Sequence, residues 1–155
     1  MNKTMAINKD AYQQIISELQ PKYITLVAVS KTKPVEDIRK LYALGHRDFG
    51  ENYVQELVDK ESQLPKDIRW HFIGHLQSNK VKYIAPFVHL VHGVDSLKLL
   101  TEINKQAAKN KRVKLGRLQV HIAQEETKFG LDEAELSLII KEFEIWNLPT
   151  CEFAG

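Results

Sequence analysis

Disulfides, membrane spans and a strong charge bias are all missing from this 155-residue sequence. Cys151 is the one cysteine, so no disulfide can form within the chain, and the polar start lacks the apolar stretch of a secretory signal. No apolar run approaches the roughly 20 residues that a membrane-spanning helix needs. These absences argue against a disulfide-rich secreted domain and a membrane protein, and they predict a cytoplasmic setting.

Positively and negatively charged residues are also nearly equal in number. Twenty-two Lys and Arg residues face twenty Asp and Glu residues, which leaves a formal charge of +2, so no nucleic-acid or membrane partner is expected from the overall field. With 43% hydrophobic residues and no linker, repeat or low-complexity segment, the composition is that of an ordinary globular protein. We therefore expect one domain over residues 1–155.

Short apolar runs alternate with longer amphipathic stretches, which is typical of βα units on a parallel sheet. The predicted strands cover residues 24–30, 47–50, 70–74, 88–94, 117–123 and 150–154, and the first is apolar enough to be buried on both faces. Amphipathic helices are predicted before the first strand and between successive strands. The fold class is therefore α/β, either an open doubly wound sheet or a (β/α)8 barrel, since periodicity does not separate the two.

Several helix ends carry recognisable signals. Pro34 is expected to open the second helix and Gly45 to close it, and Ser78 is expected to cap the short helix after the third strand. Asp132, with Glu135 three residues later, predicts a capping box at the start of the last helix.

Glycine-rich phosphate loops are absent. The segment after the first strand reads SKTKPVED rather than G-x-G-x-x-G, and no P-loop occurs elsewhere, which argues against a nucleotide-dependent enzyme. Instead, Lys31 follows the first strand, at the end where both α/β architectures place their binding sites. A lysine with a partly desolvated stem has a lowered pKa and can attack a carbonyl carbon, whereas an ordinary strand-exit lysine is solvated, as is expected for Lys33.

Two further polar residues follow later strands. Asn52 either caps the third helix, which its position alone favours, or hydrogen-bonds a ligand over the strand ends. Lys128 lies in the polar loop QEETKFG after the fifth strand and either meets the same site as Lys31 or is solvated.

The histidines and the cysteine predict structural roles. His71 and His75 have i, i+4 spacing, but their segment is strand-like and interrupted by glycine, so no metal site is expected. His89 and His92 should point to opposite faces of the fourth strand. His121 and Cys151 are interpreted as structural residues of later strands.

Three segments, VAVSKTKP, FGENYVQE and WHFIGHLQSNK, occur together in an order and spacing that resemble the pyridoxal phosphate homeostasis protein family. The resemblance runs from about Tyr23 to Gly155 and includes ETKFG and CEFAG. It implies a fold type III barrel similar to the N-terminal domain of alanine racemase, with pyridoxal 5′-phosphate (PLP) held as an aldimine on Lys31. It also implies that Asn52 lies close to the cofactor and that Lys128 faces the pyridoxal ring.

The same resemblance implies a protein that carries and buffers PLP without a reaction of its own, with PLP-dependent enzymes as partners and a monomeric or weakly associating state. A racemase-like enzyme is one alternative, although nothing supplies the second base that two-sided proton transfer needs. A cofactor-free module that binds an anionic partner is the other.

Family members continue with two more strands that carry a Ser-x-Gly-Met-Ser and an Arg-Ile-Gly segment, and neither segment occurs here. In (β/α)8 sites the loops after strands 7 and 8 often hold a phosphate. Six strands do not close the usual eight-stranded geometry, so we expect an incomplete barrel, truncated at its C-terminal side or completed by a second chain.

Overall fold

A computed structural model describes residues 6–111, 114–119, 130–146 and 151–153. Its strands form one parallel sheet in which each strand lies beside the next in the sequence, which confirms the α/β class. The strands are β1 (Ala28–Val29), β2 (Asp48–Glu51), β3 (Arg69–Phe72), β4 (Leu90–Val94), β5 (Lys114–Leu118) and β6 (Cys151–Phe153).

Helices occupy the connections between the strands, as parallel pairing requires. They are α1 (Lys9–Leu19), α2 (Val35–Ala43), α3 (Val54–Gln63), α4 (Val81–Ile84), α5 (Leu97–Lys109) and α6 (Glu133–Trp146), with short 3-10 helices at Gln20–Lys22 and Ser78–Lys80. No helix within the described ranges is long and apolar enough to cross a membrane.

The core lies between the sheet and the helices that pack on it. Phe49, Trp70 and Phe72 come from neighbouring strands and are almost fully buried, and they belong to one cluster with Ile38 of α2 and Leu57 of α3. Each such side chain contributes about 1.5–3 kcal/mol when it is removed from water. This packing fixes the sheet against the helices and leaves the strand ends free to carry a site.

Helix α1 has no buried residue and is instead tied to the sheet by a polar contact. Tyr12 OH lies 3.1 Å from His46 Nδ1, and His46 Nε2 lies 2.7 Å from the Asp48 carbonyl oxygen. Because a carbonyl oxygen only accepts, His46 carries its proton on Nε2 and accepts the Tyr12 hydroxyl at Nδ1. The contact positions α1 against the amino end of β2.

The predicted first strand is wrong in length and in burial. Only Ala28–Val29 pairs, and Ile24 and Val29 are 52% and 54% exposed. β1 has β2 as its single neighbour in the described sheet, so no second partner covers its apolar residues. An apolar run therefore signals a strand here without fixing how much of it pairs.

Helix starts follow the sequence signals in part. The Asp132 side chain accepts from Glu135 N at 2.8 Å while Glu135 Oε2 accepts from Asp132 N, which confirms the capping box, and Pro34 and Gly45 bound α2 as predicted. The predicted cap at Ser78 is wrong, because Gln77 precedes that helix and Ser78 is its first residue.

The boundaries of the later strands also differ from prediction. β2, β3 and β6 are shifted or shortened by one or two residues at their ends. β4 begins at Leu90 rather than at residue 88, and β5, which covers Lys114–Leu118, begins three residues before the predicted residue 117. Charged residues are interspersed with apolar ones around the fifth predicted strand, so the hydrophobic pattern does not show which residues pair with β4. Residues 120–123 lie outside the described residues.

Candidate functional site

The carboxyl ends of β1, β2 and β3 bring the candidate residues to one edge of the sheet. Val29 pairs with Gly50, and Glu51 pairs with Phe72, so Lys31 and Asn52 follow their strands at the same level. The ladder continues past the strand ends, since Ser30 N donates to Gly50 O and Ile73 N donates to Glu51 O, each at 2.9 Å. Lys31 and Asn52 are thus brought to the same end of adjacent strands, as the sequence predicts.

Lys31 occupies the turn that leaves β1 and is exposed. Of the two alternatives for the Lys31 stem, the structure shows the solvated one, which position alone favours, because the turn carries Lys31 away from the buried Ser30. Thr32, the next residue, has a positive φ of 62°, an unusual conformation for a β-branched residue. The exposed amine is free to meet a dissolved aldehyde or anion.

A buried ion pair underlies this turn. Lys60 Nζ of α3 donates to the Glu51 carboxylate at 2.7 Å and to the Ser30 carbonyl oxygen at 2.6 Å, and Ser30 Oγ donates to the same Glu51 oxygen at 2.6 Å. Glu51 is 0% exposed and Lys60 is 5% exposed. Burial raises the pKa of the Glu51 carboxyl, although the hydrogen bonds from Lys60 and Ser30 oppose that rise.

Glu56 joins the ion pair to the turn. Its Oε1 accepts from Lys60 Nζ at 2.7 Å and from the backbone N–H of Thr32 at 2.5 Å. Glu56 and Lys60 are one helical turn apart on α3, so their side chains lie on the same helix face. Sequence reasoning missed all three of these charged residues, of which Glu51 and Lys60 are buried and Glu56 is partly exposed. The i, i+4 spacing of Glu56 and Lys60 was the one signal that pointed to a pair.

Asn52 does not cap α3, contrary to its positional expectation. Tyr53 is the N-cap residue and makes no side-chain cap bond, and Asn52 Oδ1 is buried without a hydrogen-bond partner among the described residues. A buried carboxamide oxygen without a donor is costly, so a ligand that donates to it would be favoured.

Gly74 packs directly on the Asn52 backbone. A Cβ atom at Gly74 would lie 2.2 Å from the Asn52 carbonyl oxygen, so only glycine fits there. This close approach sets the loop after β3 against the backbone of Asn52 in the loop after β2.

A cavity of about 420 Å³ opens beside Asn52 on the helix side of this edge. Its walls come from the start of α3, the loop after β3 and α4, and they include the polar side chains of His75, Gln77 and Lys80. His75 Nδ1 also lies 3.1 Å from Asp95 Oδ2. Within the described residues, no group of three or more His, Cys, Asp or Glu side chains is arranged to hold a metal ion.

A second polar network lies on the sheet face opposite the aromatic core. Asp48 accepts from Arg69 and from His71 Nε2, the latter at 2.9 Å, and His71 Nδ1 lies 2.9 Å from His92 Nε2. Burial raises the pKa of the Asp48 carboxyl, but hydrogen bonds from His71 and Arg69 outweigh it and hold that pKa well below its usual range. Burial, with the nearby charges of His71 and Arg117, lowers the pKa of His92 to about 4.

The prediction that His89 and His92 lie on opposite faces is wrong. The rings of both residues contact the His71 ring, with centroids 5.4 and 5.2 Å apart. His89 precedes the first residue of β4, so strand alternation does not apply to it.

The remaining predicted site residue, Lys128, lies outside the described residues, as does His121. Cys151 is the first residue of β6. Of the predicted binding set, the structure therefore places Lys31 and Asn52.

No family model matches the chain. Among curated proteins, the pyridoxal phosphate homeostasis protein of Synechocystis sp. is 38% identical over 143 residues, which are 90% of this chain and 65% of that protein. The protein of the same name from Aquifex aeolicus is 45% identical over 131 residues, covering 84% of this chain and 57% of that protein. The chain thus spans less than two thirds of the length of these relatives.

Solved structures give the same assignment. PipY from Synechococcus elongatus with PLP bound superposes with a TM-score of 0.82 at 34% identity, over 94% of this chain and 67% of PipY. Alanine racemase from Bartonella henselae superposes with a TM-score of 0.66 at 17% identity, over 88% of this chain and 38% of the racemase, and so shows a shared fold alone. Given the identity and the coverage of PipY, the chain belongs to the family of PipY and the pyridoxal phosphate homeostasis proteins.

Proposed function

We propose that this protein binds PLP through Lys31 and serves in the homeostasis of that cofactor in the cytoplasm. The observation that carries the proposal is the placement of Lys31, an exposed primary amine, level with Asn52 on the next strand. The Asn52 carboxamide oxygen is buried there and has no hydrogen-bond partner within the described part of the chain. The PLP bound to PipY, which is 34% identical, supports it.

The residues present fit this cofactor. PLP supplies an aldehyde that reacts reversibly with a primary amine, and Lys31 presents such an amine where parallel α/β sheets carry their sites. The Asn52 carboxamide lies level with Lys31 and carries both an acceptor oxygen and a donor NH₂ group for the polar substituents of the ring. Lys128 is proposed to add positive charge beside the ring.

We also infer that the six strands belong to a single (β/α)8 barrel domain of the fold type III class, incomplete over residues 1–155. The consecutive order of parallel strands and the likeness to alanine racemase support this inference. In such a barrel the phosphate-binding loops follow the seventh and eighth strands.

No observation favours a reaction beyond cofactor binding. A racemase needs a base on each face of the ring, and the similarity to alanine racemase extends to the fold alone. We therefore propose that the protein carries PLP and exchanges it with PLP-dependent enzymes. It is proposed to act as a monomer or weak homo-oligomer and without a nucleic-acid partner.

A PLP titration followed by visible absorbance tests the proposal. The parent protein and Lys33→Ala should develop the absorption band of a lysine-bound pyridoxal, and Lys31→Ala should not. Lys33 is the matched control because it is an exposed lysine two residues away. A band of undiminished amplitude in Lys31→Ala would overturn the proposal, and turnover of D- or L-alanine by the parent would show an enzyme instead.

A further inference from the structure

Both peptide groups that flank Lys31 are bonded to α3. Lys60 Nζ donates to the carbonyl oxygen of Ser30 at 2.6 Å, and the N–H of Thr32 donates to Glu56 Oε1 at 2.5 Å. The two α3 side chains also bond each other at 2.7 Å. The turn that presents Lys31 is therefore held from both sides by one acid and one base.

The hydrogen bond from the Thr32 N–H to Glu56 matters because the backbone of Thr32 has an unusual conformation. Thr32 has a φ of 62°, in the left-handed region that β-branched residues rarely occupy. Such conformations persist where surrounding contacts impose them. The turn is closed by its own backbone bond, from Lys33 N–H to the Ser30 carbonyl oxygen at 3.0 Å. The Glu56 carboxylate adds a charge-assisted hydrogen bond from the Thr32 N–H, and it is the side-chain contact to this peptide group.

The same lysine reaches the end of the next strand. Lys60 Nζ lies 2.7 Å from Glu51 Oε1, and Glu51 directly precedes Asn52. One buried ammonium group thus joins the backbone beside Lys31 to the residue beside Asn52. A shift of α3 would change the spacing of both candidate cofactor contacts.

We propose that Glu56 and Lys60 are positioning residues for the Lys31 amine. Neither bonds the amine itself; they act through the backbone of Ser30 and Thr32 and set the direction in which Lys31 leaves the sheet. The inference rests on the proposed role of Lys31 in PLP binding. Helix α3 thereby keeps Lys31 and Asn52 level with each other at the ends of their adjacent strands.

Glu56→Ala tests the proposal most cleanly. Glu56 is partly exposed, and its removal leaves no unpaired charge in the core, because Lys60 keeps its ion pair with Glu51. We expect the apparent PLP dissociation constant of Glu56→Ala to rise by about tenfold or more, in keeping with the loss of one charge-assisted bond. Glu56→Gln keeps an oxygen that can accept from Thr32 N–H and should lose less. Glu61→Ala, which removes an acid of the same helix paired with the exposed Lys66, should bind as the parent does.

Rescue separates positioning from general destabilisation. Glycine adopts φ near 62° without strain, so Thr32→Gly in the Glu56→Ala background should recover part of the lost affinity while leaving the melting temperature of that variant almost unchanged. Parent-like affinity in Glu56→Ala, with Lys31→Ala still unable to bind, would overturn this inference and leave the proposed function intact. Absence of any rescue by Thr32→Gly would also overturn it. A PLP band retained in Lys31→Ala would instead overturn the proposed function.

Discussion

Lys60 lies between the carboxylates of Glu51 and Glu56, and 5% of its surface is exposed. Both carboxylates depend on its single ammonium group to compensate their charge. Removing one member of a buried ion pair leaves the other charge uncompensated, which costs about 3–5 kcal/mol. Exposed pairs are worth about 0–1 kcal/mol, because water and salt screen them. The two lysines around the end of α3, Lys60 and Lys66, therefore differ greatly in what they contribute.

Lys60→Met should lower the free energy of unfolding by about 3–5 kcal/mol, because Glu51 stays buried beside an apolar side chain. Lys66→Met, which removes the partner of Glu61 at the surface, should lower it by about 1 kcal/mol or less. Urea unfolding of both variants measures the difference. Equal midpoints would contradict the buried ion pair.

Loop packing controls the site at the scale of elements. The loop after β3 touches the loop after β2 where Gly74 meets the Asn52 carbonyl oxygen. Gly116 of β5 offers a comparison, since a Cβ there would lie 3.3 Å from Val94 Cγ2, a side-chain atom that can move by a few tenths of an ångström.

Gly74→Ala should destabilise the protein by about 1–3 kcal/mol and weaken PLP binding, because the backbone of Asn52 must shift to admit the methyl group. Gly116→Ala should cost less than about 1 kcal/mol and leave the affinity unchanged. Thermal unfolding and PLP titration of both variants provide the check, and a parent-like Gly74→Ala would refute the close contact.

How far the sequence predicts an element depends on whether its signal is local. The Asp132 and Glu135 capping box is correct because both partners lie within one turn of the chain. The length of β1 and the capping of α3 by Asn52 are not, because they depend on which strand or loop lies alongside. The ion pair of Glu51 and Lys60 also forms between separate elements, so spacing alone does not reveal it.

At the scale of the whole molecule, the network of Asp48, His71 and His92 makes stability depend on pH. Both Asp48 and His92 have pKa values below their ordinary ones, so the unfolded chain takes up protons before the folded protein does as the pH falls. Stability from His92 is present above about pH 6.5 and is lost down to about pH 4, and that from Asp48 is lost at still lower pH. Glu51, with its raised pKa, has the opposite sign.

His92→Gln should reduce the slope of unfolding free energy against pH between pH 4 and 6.5, by at most about 1.4 kcal/mol per pH unit. Urea unfolding at a series of pH values measures this dependence. Identical slopes for the parent and His92→Gln would contradict a neutral, half-buried His92.

The proposed function depends most directly on Lys31 as the residue that holds PLP. Borohydride reduction of the PLP-loaded protein fixes the pyridoxyl group on the lysine that carries it, and peptide mapping by tandem mass spectrometry identifies that lysine. We expect one modified position, Lys31. A pyridoxyl group found mainly on Lys33 or Lys128 would contradict it.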